Sequence, residues 1–183
     1  ASGSGTNAEN IIKYFQKNNL AEVTLVLSNK IDAKVLDRAK FFSIPSESFN
    51  KSELMNSDRI TAILRKESPD LIVLAGFLLK FPEFILKAFP NKVINIHPAL
   101  LPKYGGKGMY GMLVHESVVK NKEPETGITI HYVNENYDEG SIIFQKSFQL
   151  SENDTAESVA SRIHELEYEF FPKVIEEILK KDK

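Results

Sequence analysis

The chain opens on a glycine-rich turn, ASGSGTN, and then sets Ile11, Ile12 and Phe15 at the spacing of one helix face. Thr6 and Glu9 stand at capping-box spacing, so a helix is expected from about Thr6. A β-type run covers Val23 to Ser28, and helical spacing follows through Ala33, Leu36, Ala39 and Phe42. The theme repeats: helical spacing in Leu54, Ile60, Ile63 and Leu64 leads to a strand over Leu71 to Ala75, and a short helix near Pro82 to Phe89 leads to a strand over Val93 to His97. These strands are apolar on both faces, as central parallel strands are.

After His97 the pattern changes. ALLPKYGGKGMYG is turn-rich, and a helical stretch follows around Leu113 to Val119. Thr126 to Val133 alternates, Asn134 to Gly140 supplies turn residues, and Ser141 to Gln149 alternates again, which reads as a β-pair. Asp154 or Thr155 can cap a long final helix carrying Val159, Ile163, Leu166 and Phe170, with Pro172 expected to kink or restart it before Ile175 to Leu179. The expected fold class is therefore α/β: a Rossmann-like, open, mostly parallel sheet flanked by helices, with an antiparallel C-terminal strand pair and a long C-terminal helix. No composition break divides residues 1–183, so one domain is expected. A phosphate-binding turn of the opening kind normally follows the first strand of such a sheet. That first strand, several residues long, is expected on the amino side of Ala1.

Charge and composition narrow the function. Acidic and basic residues nearly cancel, 25 against 23, and the basic ones are scattered, so no nucleic-acid partner is expected. There is no cysteine, which removes disulfides, thiolate zinc sites and cysteine nucleophiles and fits a reducing cytoplasm. The longest apolar stretches, such as Leu71 to Leu79, are far short of the roughly 20 residues needed to cross a bilayer, and no signal-peptide pattern is present. A soluble, cytoplasmic protein without a membrane partner is expected.

Chemistry gathers in V-I-N-I-H-P, Val93 to Pro98. A period of two puts Asn95 and His97 on one face of a strand, at the end where ligands bind in open α/β sheets. An amide donor beside an imidazole suits stabilisation of an oxyanion and proton handling in acyl transfer. Equally, both could only satisfy backbone groups near the loop. Gly3, Ser4, Gly5, Thr6 and Asn7 offer backbone amides and hydroxyls at a helix N-terminus, where phosphate is favoured, though an ordinary tight turn reads the same way. Asp138, in Y-D-E-G, could be a catalytic carboxylate or a turn residue. His131 is in phase with Thr129 and faces either the site or solvent. His115 reads as structural or solvated. His164 and Glu167 are neighbours on the last helix, either holding phosphate and sugar hydroxyls or forming a solvated face. The four histidines and the scattered carboxylates make no recognised ligand cluster, so no metal is expected.

Taken in order, S-G-S-G-T-N, N-I-H-P-A-L-L-P-K-Y, G-I-T-I-H-Y-V with the D-E-G at Asp138, and H-E-L-E-Y resemble the phosphoribosylglycinamide formyltransferase family, folate-dependent enzymes of purine synthesis. The resemblance implies direct transfer of a formyl group from 10-formyltetrahydrofolate to the amine of 5-phospho-ribosylglycinamide. It implies that Asn95 donates to the formyl oxygen, that His97 stabilises the oxyanion and assists proton transfer, and that Asp138 polarises the imidazole. It maps the phosphate onto Gly3 to Asn7, with His164 in reach, and the ribose hydroxyls onto Glu167. The folate falls on Phe77, Leu78, Leu79, Phe81 and Val133, with the turn Asn134 to Asp138 meeting its ring. Leu79 stands where other members can carry arginine, and Lys80 could serve the glutamate tail instead. The resemblance also implies a cis peptide at Leu101-Pro102; the loop from Gly105 to Gly111, being glycine-rich, is expected to be mobile without ligand, and a monomer or homodimer is expected. The same N-x-H and D constellation serves methionyl-tRNA formyltransferase, sugar-nucleotide formyltransferases and formyltetrahydrofolate hydrolase, so fold alone does not separate them. A non-catalytic nucleotide-binding module could keep the phosphate loop but has no need of Asn95, His97 and Asp138 together.

Overall fold

A computed structural model describes residues 1–181. Seven helices and six strands alternate along the described residues. In chain order they are α1 (Thr6–Asn18), β1 (Val26–Ser28), α2 (Lys34–Phe41), β2 (Ser46–Ser48), α3 (Lys51–Asn56), α4 (Arg59–Glu67), β3 (Ile72–Leu74), α5 (Glu83–Ala88), β4 (Val93–His97), α6 (Met112–Lys120), β5 (Glu125–Tyr132), β6 (Ile142–Gln149) and α7 (Ala156–Lys181). The strands form two sheets. β1 and β2 pair in parallel, and a four-stranded sheet runs β3-β4-β5-β6. There β3 is parallel to β4, while β5 is antiparallel to both β4 and β6. The architecture is the Rossmann-like α/β fold expected, parallel on one side and antiparallel on the other.

The period of two along β4 decides what each face does. Ile94 and Ile96 point into a core with Ile128 and Ile130 of β5, Ile11 and Phe15 of α1, and Ile163 and Phe171 of α7. Each such fully buried aliphatic or aromatic side chain contributes roughly 1.5–3 kcal/mol. Val93 joins a second core with Leu74, Phe81 and Ile85, and Asn95 and His97 share its phase on the face opposite Ile94 and Ile96. Cross-strand register sets Asn95 opposite His131 and His97 opposite Thr129.

Several local expectations are corrected. Thr6 is the first residue of α1 rather than its cap: Gly5 takes that place in the left-handed region (φ 73°), without a side-chain cap bond. A Cβ on Gly5 would also lie 2.4 Å from a Val35 methyl, so close packing on α2 and backbone shape both require glycine there. Glu9 pairs with Lys13 and Arg38 and completes no box with Thr6. The helical pattern through Leu54 and Leu64 is two helices, separated by Ser57 in extended backbone. α3 begins on a real capping box, with Asn50 accepting from Glu53 N (2.9 Å) and Glu53 accepting from Asn50 N (2.7 Å). β2, whose sequence is Ser-Glu-Ser, has no hydrophobic signal and was not anticipated. α7 continues through Pro172 without restarting. A proline there leaves the carbonyl four residues back, Tyr168 O, without its helical donor; Asn10 Nδ2 of α1 donates to it at 2.8 Å. Thr155 Oγ1 accepts from Ser158 N (3.2 Å) at the helix start, as a cap does. Among the described residues, no helix is long and apolar enough to cross a membrane.

Candidate active site

β4 ends at His97, and the chain then turns through Ala99 and a cis Leu101-Pro102 bond, as expected from the resemblance. Thr129 of β5 fixes this turn: its hydroxyl donates to Ala99 O (2.6 Å) and accepts from Leu101 N (3.0 Å), while Gln145 Nε2 donates to Leu101 O (3.0 Å) and to Thr129 Oγ1 (2.9 Å). The pinned turn carries Tyr104, whose carbonyl accepts from His97 Nε2 at 2.7 Å. A carbonyl only accepts, so His97 holds a proton on Nε2, and in the neutral ring Nδ1 is the lone pair. That Nδ1 lies 3.6 Å from Asp138 Oδ2.

Asp138 sits in the turn between β5 and β6 with φ 57°, so the turn reading holds, and its carboxylate faces the His97 imidazole. Its other oxygen lies 3.6 Å from His131 Nε2, and Gly106 N donates to Oδ2 at 2.9 Å. Gly105 permits this approach, because a Cβ there would lie 2.6 Å from Leu101 Cδ2 and 3.2 Å from Asp138 Cβ. His131 is buried at 2 % exposure, which removes the solvent-facing alternative. Its Nδ1 donates to Tyr132 O (2.8 Å), so the neutral ring presents the Nε2 lone pair, which accepts from Asn95 Nδ2 at 3.1 Å. Asn95, His97, Asp138 and His131 therefore form one cluster. Burial pushes the His97 imidazole below its ordinary value, against the opposing pull of the Asp138 charge. Burial pushes the Asp138 carboxyl up, but His131, the His97 charge and the Gly106 N–H outweigh it and hold the carboxyl below its usual range.

A second group forms where α1 meets α7. Glu167 is buried at 6 % exposure, so it is not part of a solvated face. One of its oxygens accepts from Asn7 Nδ2 (2.9 Å) and from His164 Nδ1 (3.0 Å). Asn7 Oδ1 is buried without a partner. The hydrogen bond to Glu167 raises the half-exposed His164 imidazole above its ordinary value. The loop Gly3 to Gly5 is held by its carbonyls: Gly3 O accepts from Val35 N (3.2 Å) and Ser4 O from Arg38 Nε (2.7 Å). The N–H groups of the first turn, from Thr6 onward, point away from the helix they start and are free for an anion. The Glu167 charge acts on His97, which ties this group to the first. His115 of α6 is buried, which excludes the solvated reading, and burial lowers its imidazole.

The remaining expected residues lie beside β3. Phe77 and Phe81 meet edge to face with ring centroids 6.2 Å apart, and Phe49 lies 6.2 Å from Phe77. Leu79, Phe77 and Val133 are half-buried against that core, whereas Leu78 is exposed and Phe81 is buried behind them. Lys80 is exposed. Among the described residues, no group of three or more histidine or carboxylate side chains is arranged to hold a metal ion. Sequence reasoning missed Tyr104, Gly106 and Arg38 as site-building residues. Tyr104 closes the N-I-H-P-A-L-L-P-K-Y motif and was available from it; Gly106 acts through its backbone, and Arg38 lies on a helix with no motif.

A loop at a helix start, an amide and an imidazole at a strand end, and a carboxylate from the next hairpin bring together, on a Rossmann-like sheet, groups that suit transfer chemistry. The family model described as formyl transferase matches residues 1–175, and the chain belongs to that family of enzymes. It is 38% identical to the phosphoribosylglycinamide formyltransferase of Bacillus subtilis (strain 168), over 98% of this chain and 92% of that protein. It is 37% identical to the chloroplastic phosphoribosylglycinamide formyltransferase of Arabidopsis thaliana, over 95% of this chain and 62% of that longer protein. Among solved structures, the phosphoribosylglycinamide formyltransferase from Bacillus halodurans superposes with a TM-score of 0.88 at 34% identity, covering 100% of this chain and 94% of that one.

Proposed function

We propose that this enzyme transfers the formyl group of 10-formyltetrahydrofolate to the primary amine of 5-phospho-ribosylglycinamide. The observation that carries this reading is the gathering of Asn95, His97 and Asp138 into one buried cluster, beside a second group in which Asn7 of the loop Gly3 to Asn7 meets Glu167. The phosphate sits on the N–H groups of the loop Gly3 to Asn7, with the His164 cation nearby, and Glu167 accepts from the ribose hydroxyls. The folate lies against Phe77, Leu78, Leu79 and Val133, backed by Phe81, with its ring at the turn Asn134 to Asp138 and Lys80 near its acidic tail. The cysteine-free composition supports a reducing compartment such as the cytoplasm.

The substrate amine attacks the formyl carbon, and the C=O π pair moves onto oxygen. Asn95 Nδ2 donates to that oxyanion, a contact typically worth about 3 kcal/mol in the transition state. His131 acts through Asn95: its Nε2 lone pair holds the amide so that Nδ2 is the group presented. The Nδ1 lone pair of His97 faces Asp138, while the Nε2 lone pair of His131 is taken by Asn95, so the cluster has room for one proton between the His97 ring and the carboxylate. The proton leaving the amine lands there, on His97 Nδ1 beside Asp138. When the tetrahedral intermediate collapses, the bond from carbon to the folate nitrogen breaks, that nitrogen takes the proton, and the formylated amide and tetrahydrofolate result. The test is formyl transfer with three acceptors side by side: the glycinamide ribonucleotide, a sugar-nucleotide amine and water. Turnover confined to the first is expected, and faster transfer to either of the others would overturn the assignment of acceptor.

A further inference from the structure

The two nitrogens of the His97 ring each face a residue whose backbone is left-handed although it is not glycine: Tyr104, with φ 58°, at Nε2 and Asp138, with φ 57°, at Nδ1. Aspartate tolerates that region, because its short polar side chain can bond locally. A bulky tyrosine does not, so its place there is an outlier that something must hold. The hold is visible in its side chain. Tyr104 Oη donates to Glu123 Oε1 at 2.8 Å and accepts from Asn121 Nδ2 at 2.8 Å, both in the turn between α6 and β5. Lys103 Nζ in turn donates to both Glu123 oxygens, at 3.2 and 2.9 Å. The hydrogen bonds from Lys103 and Tyr104 hold the Glu123 carboxyl below its usual range, so the anchor stays ionised at neutral pH.

His131 takes its tautomer from the carbonyl of the next residue, Tyr132, whereas His97 meets a carbonyl seven residues further on. Asp138 alone would set the opposite tautomer on His97: a carboxylate is a stronger acceptor than a carbonyl, and it faces Nδ1 at 3.6 Å. The direction of Tyr104 O depends on the φ and ψ of Tyr104, so a tyrosine that relaxed out of the left-handed region would take its oxygen off Nε2. We propose that Tyr104 is a positioning residue of the formyl-transfer site: its anchored side chain holds a left-handed backbone, which keeps a carbonyl on His97 Nε2 and leaves Nδ1 bare to receive a proton opposite Asp138. The same segment steadies the carboxylate, since Gly106 N donates to Asp138 Oδ2 at 2.9 Å. The anchor thus bears on both members of the pair from the turn after α6. This role rests on the reaction proposed above, but the tautomer it sets exists without substrate.

The test uses the full chain with isotope-labelled histidine nitrogens, in proton–nitrogen NMR spectra recorded without substrate above the imidazole titration range, beside steady-state formyl transfer. In the unsubstituted protein His97 is expected to show a protonated Nε2 and a bare Nδ1. Tyr104→Phe and Glu123→Leu should each move the His97 proton toward Nδ1 and lower kcat about tenfold, with the ribonucleotide KM within about twofold. Glu123→Gln keeps an acceptor for the tyrosine hydroxyl and should lose less than Glu123→Leu. A bare Nε2 in the unsubstituted protein, or His97 nitrogen shifts that stay unchanged in Tyr104→Phe and in Glu123→Leu, would overturn the proposal, and so would a kcat loss in Glu123→Gln equal to that in Glu123→Leu. Because the shifts are read without substrate, they decide the role of Tyr104 separately from which acceptor the enzyme formylates.

Discussion

Each of the two polar groups holds a carboxylate, and the two are surrounded in opposite ways. Asp138 lies between His97 and His131, both buried, each with a ring nitrogen 3.6 Å away and neither protonated toward it. Glu167 is itself buried but bonded to a half-exposed His164 at 3.0 Å. Burial lowers the first imidazole and the hydrogen bond raises the second. The same pairing of carboxylate and imidazole thus favours a neutral ring in one place and a charged one in the other. Solvent access, rather than residue identity, sets the division of labour.

Changing Asp138 to Asn should have the largest effect, lowering kcat by about a thousandfold, since it removes the charge that holds a proton on His97. The KM for the ribonucleotide should move by less than about threefold; a large KM change at constant kcat would place Asp138 in binding instead. Asn95→Ala should lower kcat on the order of a hundredfold with the melting temperature kept. His131→Gln, which keeps an acceptor for the Asn95 amide, should lose less than His131→Leu, and equal losses would show that His131 does not act through Asn95. At the other end, Glu167→Gln should raise the ribonucleotide KM roughly tenfold while kcat stays near its starting value.

The smallest effects are in titration, and they run in opposite directions. His97 has a folded value below the ordinary imidazole, so the unfolded chain takes up a proton first on acidification. Its stability contribution is complete above about pH 6.5 and falls as pH drops below that. His164 has a raised folded value, so its contribution is complete below the ordinary value and is lost as pH rises through the folded one; exposure to solvent keeps it small. Imidazole resonances followed by NMR should show His97 titrating below and His164 above the ordinary range. In Glu167→Gln only His164 should return clearly toward it.

Much of this candidate site is legible in the chain, for reasons visible in particular residues. The two-residue period of Val93 to His97 survives because Ile94 and Ile96 must reach the α1 and α7 core, which forces Asn95 and His97 to the other face. His131 could be assigned a phase but not a destination, because its partner Asn95 comes from a neighbouring strand whose register no local pattern specifies. Asp138 reads as a turn residue because it is one; its place in the cluster depends on Gly106 N and two imidazoles distant in sequence. β2 escaped notice because pairing with β1, rather than any hydrophobic run, makes Ser46 to Ser48 a strand. The box of Asn50 and Glu53 marks the start of α3, whereas the break at Ser57 carries no such signal, because Asp58 makes no side-chain cap bond at the start of α4.

The grip on Gly3 and Ser4 has a further meaning. With their carbonyls committed to Val35 and Arg38, and Arg38 held in turn by Glu9, the loop is held in one shape by contacts within the chain. A phosphate that docks there has little chain to immobilise, so less of its contact energy is consumed in ordering the loop and more appears as affinity.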